Sequence, residues 1–322
     1  SLFVISIGYL YTIVGSLNMA YISQTISSMS DRRGLYLVGA VMIFVFCMKG
    51  ALFPLFTWMN RSYVAPPIAV SIIFGALLTK VGLYSIIRTY GLFYYESNFI
   101  KSYLLILGAI SIIAGCIGAI YQKDLKQIVV FNIVISLGVM VCGTATLNTF
   151  GVKGALFYAV NDILLKAALF IIVGLIIYVS GVKYVQKCGL INKYPLLGWT
   201  YFIVVLSLAG VPPFSGFYGK ALIIKGLVAN NNTFIAILVA LSGLVVFYSL
   251  IKVFLNVFYD NINKSLILKP LPKGVQIPLI AIVAIALIIG VSSNLLDGFF
   301  DKGIQMVLNP QHYIDLVLKK GA

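Results

Sequence analysis

Between Lys49 and Arg88 the sequence runs KGALFPLFTWMNRSYVAPPIAVSIIFGALLTKVGLYSIIR, two apolar stretches joined by a short turn, each carrying one lysine. Residues 35–48 lead into Lys49 without a carboxylate or a second amine, and Pro54 follows it; Lys80 sits inside the apolar run 68–87. A helix of about 20 apolar residues spans the hydrocarbon of a bilayer, so each stretch has the length of a membrane span. A charge at the middle of such a helix costs about 2.5–3.5 kcal/mol on insertion scales. Two such lysines in succession contribute nothing obvious to folding, and the reading that follows is that they handle charge.

Bulk composition agrees. The 322 residues are 61% hydrophobic and 10% charged, with a mean hydropathy of +1.06, where a soluble domain carries about 25% charged residues. The fold class expected is an all-α polytopic membrane protein. A transmembrane barrel would alternate apolar and polar residues with period two, and these runs are continuously apolar. The formal net charge of +15 does not indicate nucleic acid, because the basic residues fall singly between or inside apolar runs and form no stripe along which a phosphate backbone would lie. Loop lysines facing anionic lipid account for them. Cys47, Cys116, Cys142 and Cys188 have no paired spacing and read as small residues within helices. The lone histidine, His312, lies near the C-terminus; no cofactor and no metal site is expected, since haem, iron–sulfur and zinc chemistry need more ligands. Ser1 opens directly into an apolar run with no preceding basic region, so the chain reads as beginning inside a longer protein.

By length, about nine spans are expected, over residues 2–17, 35–58, 66–90, 103–121, 128–147, 155–179, 199–228, 234–258 and 277–296. A polar, serine-rich segment, 18–33, ends in Asp31, Arg32 and Arg33, and a polar tail carries Asp297, Asp301, Lys302, Lys319 and Lys320. The seventh span contains Pro212 and Pro213 at its middle. Proline there removes a backbone donor and strips a carbonyl of its partner, which hydrocarbon does not tolerate unless the break faces protein or a wet cavity. A broken helix is therefore expected at 209–216, with a milder kink of the same kind at Pro54. The distribution of Lys and Arg over the later loops, including Lys264, places the Lys123 loop in the cytoplasm.

Four lysines lie deep in spans: Lys49, Lys80, Lys166 and Lys220. Lys153, Lys225 and Lys252 stand nearer span ends, where a long stem reaches the interface. Asp162 precedes Lys166 by four residues, which puts both on one helix face where they can pair. An ammonium in apolar surroundings is disfavoured relative to the neutral amine, so deep lysines joined by water make a proton relay. A static ion pair is the lesser alternative for Asp162 and Lys166, and it does not explain Lys49, Lys80 and Lys220, which have no local acid. Lysine donates and never accepts, so it does not ligate Na⁺, which needs oxygens. Asp162 is the one deep carboxylate, with Ser71, Thr79, Ser207 and Ser215 as neutral candidates.

The stretches KGALFPLFTW (49–58), SYVAPP (62–67), GALLTKVGLYSIIR (75–88), QKDLKQIVVFN (122–132), NDILLKAALF (161–170) and SLAGVPPFSGFYGK (207–220) resemble the proton-conducting antiporter-like family. That family includes subunits of respiratory complex I, of membrane-bound hydrogenases and of Mrp-type multisubunit cation/proton antiporters. The combination of motifs is most similar to the D-subunit branch of the Mrp type. Complex I members often have histidine where Asp162 stands, and Met59-Asn60-Arg61 replace a leucine–proline pair usual after Trp58.

The resemblance implies the remainder of an inverted-repeat fold, with 1–90 ending the first repeat, 101–260 forming the second, and 261–322 the last helix and tail. It implies that Lys49 is the central lysine of a first half-channel, beside the connecting Lys80. Lys166 leads toward the second half-channel, and Lys220 is its terminal lysine on the broken helix. The glutamate that pairs with the first lysine is expected upstream of Ser1. The implied function is proton translocation in a multisubunit Na⁺/H⁺ antiporter of the bacterial cell membrane, with H⁺, Na⁺ and further subunits as partners. Two alternatives stay open: a proton-pumping subunit of a redox complex, and a passive membrane scaffold in which the central lysines tolerate Met or Leu.

Overall fold

A computed structural model describes residues 1–29, 33–259 and 268–318. The chain folds into helices α1 (Leu2–Val14), α2 (Met19–Ser28), α3 (Arg33–Lys49), α4 (Thr57–Ser62), α5 (Ile68–Ile73), α6 (Thr79–Phe93), α7 (Asn98–Tyr121) and α8 (Leu125–Ala145). The rest are α9 (Thr149–Ser180), α10 (Pro195–Ala209), α11 (Ser215–Ala229), α12 (Thr233–Val253), α13 (Lys273–Val291), α14 (Ser293–Leu308) and α15 (Pro310–Leu318). A π-helical turn, Phe74–Leu78, joins α5 to α6, and another, Phe254–Tyr259, extends α12. There is no strand among the described residues; one antiparallel bridge pairs Asp124 with Tyr184. Counting the π-turns as helix, six helices among the described residues are long and apolar enough to cross a bilayer, and α1 with α2, bent by 57°, makes a seventh if the pair is one span.

Two expected spans are interrupted. The run 35–58 is helical only to Lys49, after which Ala51 takes a left-handed backbone (φ 55°) and the chain turns until α4. Pro54 thus stands in a full break, not a mild kink. Side chains satisfy the freed groups: Trp58 Nε1 donates to Met48 O at 3.1 Å, and Phe53 N donates to Ser111 Oγ at 2.9 Å. The run 199–228 breaks as expected, α10 ending at Gly210 (φ 85°) and α11 starting beyond Pro213.

The serine-rich segment expected to be a polar connection is helix α2. Asn18 caps it by accepting from Ala20 N at 2.9 Å. Its hydroxyls fold back onto helix carbonyls, Thr25 to Tyr21 and Ser28 to Thr25, or reach across, as Ser23 does to Leu92 O. Hydroxyls satisfied in this way compete less with the helix than their composition suggests. The tail is also helical. Helix α14 lies against α9 and α6, and α15 against α2, pinned by the ion pair Lys153–Asp301 (2.9 Å) and by the Arg88 guanidinium 4.2 Å above the Tyr313 ring. Asp31, Arg32, Lys264, Lys319 and Lys320 lie outside the described residues.

Helix α8 is the centre of the bundle. Its span is wholly enclosed, as expected of a helix that is apolar all round. It meets α7 where Gly108 and Gly138 face each other: a Cβ on Gly138 would lie 2.7 Å from the carbonyl oxygen of Gly108. Small residues at such crossings let backbones approach, which in lipid replaces the hydrophobic drive to associate. Around this core α9 runs the full depth of the bundle, touching α5, α10, α11 and α13.

Candidate functional site

Helix α9 carries the site. Tyr158, Asp162 and Lys166 recur every four residues along it and share a face, and all three are buried. Asp162 has no exposed surface. Its Oδ2 lies 2.6 Å from Lys80 Nζ, which comes from α6 on the far side of the π-turn. The pair expected from spacing, Asp162 with Lys166, is not the one that forms. A lysine four residues along the same helix competes with one delivered head-on by a neighbouring helix, and the second reaches the carboxylate.

The π-turn explains that delivery. A π-turn inserts one residue into the helical ladder, and here Lys80 Nζ also donates to Gly75 O at 3.3 Å, inside the turn. Gly75 is required because a Cβ there would lie 2.9 Å from Cζ of the Phe170 ring on α9, and closer still to its Cε2. Neither oxygen of Asp162 receives a well-directed hydrogen bond among the described residues, so its charge is answered chiefly by Coulomb attraction to Lys80. Lys166 is buried one turn further along α9 and interacts electrostatically with both Asp162 and Lys80.

Lys220, on α11, is 7% exposed. Its Nζ donates to Leu208 O and Ala209 O, each at 2.9 Å. These carbonyls end α10 and have no partner further along the helix, because Gly210 to Pro213 cannot continue it. An ammonium at a helix C-terminus also meets the negative end of the helix dipole. Its charge is felt by Lys166, Asp162 and Cys116, and the Tyr158 ring lies 5.6 Å from Nζ. A groove of about 510 Å³ between α11 and α12 runs from Gly210 and Lys220 to Lys225 and Val228.

Lys80, Asp162, Lys166 and Lys220 thus form one electrostatic chain crossing from α6 through α9 to α11. Lys49 stands apart from it. It is exposed at the last position of α3, beside the first break, with no acid paired to it among the described residues. The sequence expectation of a buried Lys49 does not hold for the described residues, because the helix stops there and leaves its side chain on the rim of the bundle. Of the lysines read as reaching for the interface, Lys153 pairs with Asp301 and Lys225 stacks 3.8 Å from the Phe150 ring. Lys252, half-buried, lies 3.5 Å from Ile120 O.

Asn161 does not stand out in the sequence. It is fully buried and bonded to Ser215 Oγ, which lies 3.2 Å from Ser207 Oγ. An uncharged amide beside the one deep carboxylate, inside an otherwise apolar helix, is the available signal. Ser71, considered as an oxygen ligand, caps the loop before α5 by donating to Tyr63 O at 2.9 Å. There are no groups of three or more His, Cys, Asp or Glu side chains placed to hold a metal among the described residues.

Residues 1–245 match the family model described as NADH:quinone oxidoreductase/Mrp antiporter, transmembrane. The chain is 38% identical to the D subunit of the Na⁺/H⁺ antiporter of Bacillus subtilis (strain 168), over 99% of this chain and 66% of that protein. It is 34% identical to the protein of the same name from Alkalihalophilus pseudofirmus, over 99% and 65%. The chain therefore spans just under two thirds of these relatives. In fold it is similar to a chain of the Mrp complex from Dietzia sp. DQ12-45-1b, with a TM-score of 0.89 at 22% identity over 98% of this chain and 67% of that one. It is also similar to a chain of respiratory complex I from Thermus thermophilus, with a TM-score of 0.84 at 21% identity over 97% and 66%.

Proposed function

Because the chain belongs to the NADH:quinone oxidoreductase/Mrp antiporter transmembrane family, we propose that it is the proton-carrying core of the D subunit of a multisubunit Na⁺/H⁺ antiporter of the bacterial plasma membrane. Protons pass among Lys80, Lys166 and Lys220, with Asp162 as the fixed counter-charge. The observation that carries this reading is the imbalance at the centre of the bundle: among the described residues, three buried amines face a single buried carboxylate. Keeping every one of them ionised in a low-dielectric interior costs several kcal/mol per uncompensated charge. A cluster with more amines than counter-charges is where the protonation state is free to change.

The two breaks support an assignment of residues 1–90 to the end of one repeat and 101–260 to a second, each break having a lysine at its edge. Lys49 stands exposed beside the first. Lys220, beside the second, opens on the groove toward Lys225 and so toward one membrane face. The relatives named as antiporter subunits favour cation exchange over the redox-pump alternative.

The test uses the complete subunit in its assembled complex, in inverted membrane vesicles. Lys220→Ala and Lys80→Ala are each expected to abolish Na⁺-driven proton movement while co-purification of the other subunits persists. Wild-type exchange in either variant would remove the relay.

A further inference from the structure

Between Lys220 and the Lys80–Asp162 pair lies a polar cluster to which the relay assigns no part. Asn161 of α9, Ser207 in the last turn of α10 and Ser215 at the first position of α11 have essentially no exposed surface. Ser207 Oγ and Ser215 Oγ lie 3.2 Å apart across the break, and Ser215 Oγ donates to Asn161 Oδ1. The other end of that amide, Nδ2, has no partner among the described residues. Burying polar groups costs free energy unless they are hydrogen-bonded, and three of them at one point in an apolar bundle call for a reason. A conducting role is excluded for Asn161 by chemistry, since an amide carbonyl accepts a hydrogen bond without taking up and releasing a proton near neutral pH.

The neighbours of the cluster supply the reason. Ser207 directly precedes Leu208 and Ala209, the two residues whose carbonyls hold Lys220 Nζ. Asn161 directly precedes Asp162, which holds Lys80. We propose that Asn161, Ser207 and Ser215 form a latch that ties the two halves of the broken helix to each other and to α9, so that the carbonyls ending α10 stay aimed at Lys220. They are positioning residues for Lys220, and the proposal rests on the reading that Lys220 carries protons. The backbone around the latch leaves no slack. A Cβ on Gly216 would run into the Ser207 carbonyl oxygen, and one on Gly290 of α13 would lie 2.5 Å from Ser215 N. Thus α10, α11 and α13 meet at van der Waals contact where the three side chains join.

A static latch predicts that a covalent bond can replace it. In the complete subunit within its complex, with Cys116→Ser to remove the thiol near Lys220, Ser207→Cys and Ser215→Cys are combined. Thiols are weak hydrogen-bonding groups, so the reduced double variant is expected to exchange Na⁺ for H⁺ roughly tenfold more slowly, the fold-change typical of a lost buried hydrogen bond. Its apparent KM for Na⁺ is expected to stay unchanged. Diamide takes two electrons and two protons from the thiol pair to form the disulfide and is expected to restore the rate; dithiothreitol is expected to remove it again. Asn161→Ala and Ser215→Ala are expected to slow exchange by a similar factor without adding to each other, since they share one bond. Gly216→Ala, which pries the break apart while leaving all three side chains in the sequence, is expected to do the same.

Loss of the residual rate on oxidation would show that the break must move in each cycle and would overturn the latch. Wild-type rates in Asn161→Ala and Ser215→Ala would overturn it as well. If Lys220→Ala exchanges normally, the relay itself fails; if Lys220→Ala is inactive and the latch variants are normal, only the latch does.

Discussion

A carboxylate with no exposed surface must have its charge answered by its surroundings, and at Asp162 the answer comes from a different helix. Lys80 Nζ at 2.6 Å satisfies it, while Lys166, one turn away on the same helix, interacts through space without closing a salt bridge. The two lysines therefore differ in what their removal does. Lys80→Met strips the partner from a buried charge, a change that costs about 3–5 kcal/mol where such pairs have been broken. Lys166→Met removes an amine that holds no such pair and trades it for a side chain suited to an apolar helix. Thermal unfolding of the purified complex is expected to show a clear loss of stability for Lys80→Met and a much smaller one for Lys166→Met, with exchange impaired in both. A double-mutant cycle is expected to find coupling between positions 80 and 162 well above that between 166 and 162; equal couplings would restore the same-helix pair.

Each break is stabilised by one element reaching into another. At the first, Phe53 N has no helical carbonyl to donate to and is met by Ser111 Oγ from α7, which is itself buried and donates to Leu107 O. Ser111→Ala leaves that amide without a partner, which costs about 1–3 kcal/mol and is expected to lower the unfolding temperature of the complex in detergent. Gly138→Val, at the crossing of α7 and α8, places methyl groups where a carbonyl oxygen already lies 2.7 Å from the Cβ position; loss of the assembled subunit is expected, read by its yield on purification. The sequence is readable wherever physics acts locally. Long apolar runs give the spans, and Pro212-Pro213 gives the second break. Lys80, Lys166, Lys220 and Asp162 stand out because charge is rare in such runs. What stays hidden depends on where helices meet. The Lys80–Asp162 pairing rests on a π-turn whose only trace is a glycine in an apolar stretch, and the first break rests on a serine contributed from α7. Helix α2 escapes a reading of the sequence because serine hydroxyls look like loop chemistry until their acceptor carbonyls are known.

At the scale of the whole molecule, consecutive spans put successive loops on opposite faces, and from α6 onward the two sets of loops differ in charge. The ends joined by residues 94–97, 146–148 and 230–232 carry no lysine or arginine, and two of them are tied together by Asn148 Nδ2 to Gly226 O (2.7 Å) and Asn230 Nδ2 to Thr146 O (2.6 Å). The opposite face carries Lys123, Lys183, Lys187, Lys193 and Lys269, with the bridge between Asp124 and Tyr184 drawing two of its loops together. Lysine-rich short loops are retained in the cytoplasm, so this face is expected to be cytoplasmic and the asparagine-rich face external. Single cysteines at Lys123 and at Asn231, in a background free of other cysteines, test this with a membrane-impermeant maleimide. Labelling at 231 in intact cells, and at 123 only after inversion of the membrane, is the expected result, and the reverse pattern would invert the assignment. The native Cys188, retained alone in a parallel variant, supplies a control on the same face. It is buried, bonded to Gln186 O at 3.4 Å, and burial raises its thiol above the usual range. Because the thiolate is the reactive species, Cys188 is expected to stay unlabelled from either side at neutral pH until the protein is denatured, which separates a residue hidden by the fold from one hidden by the bilayer.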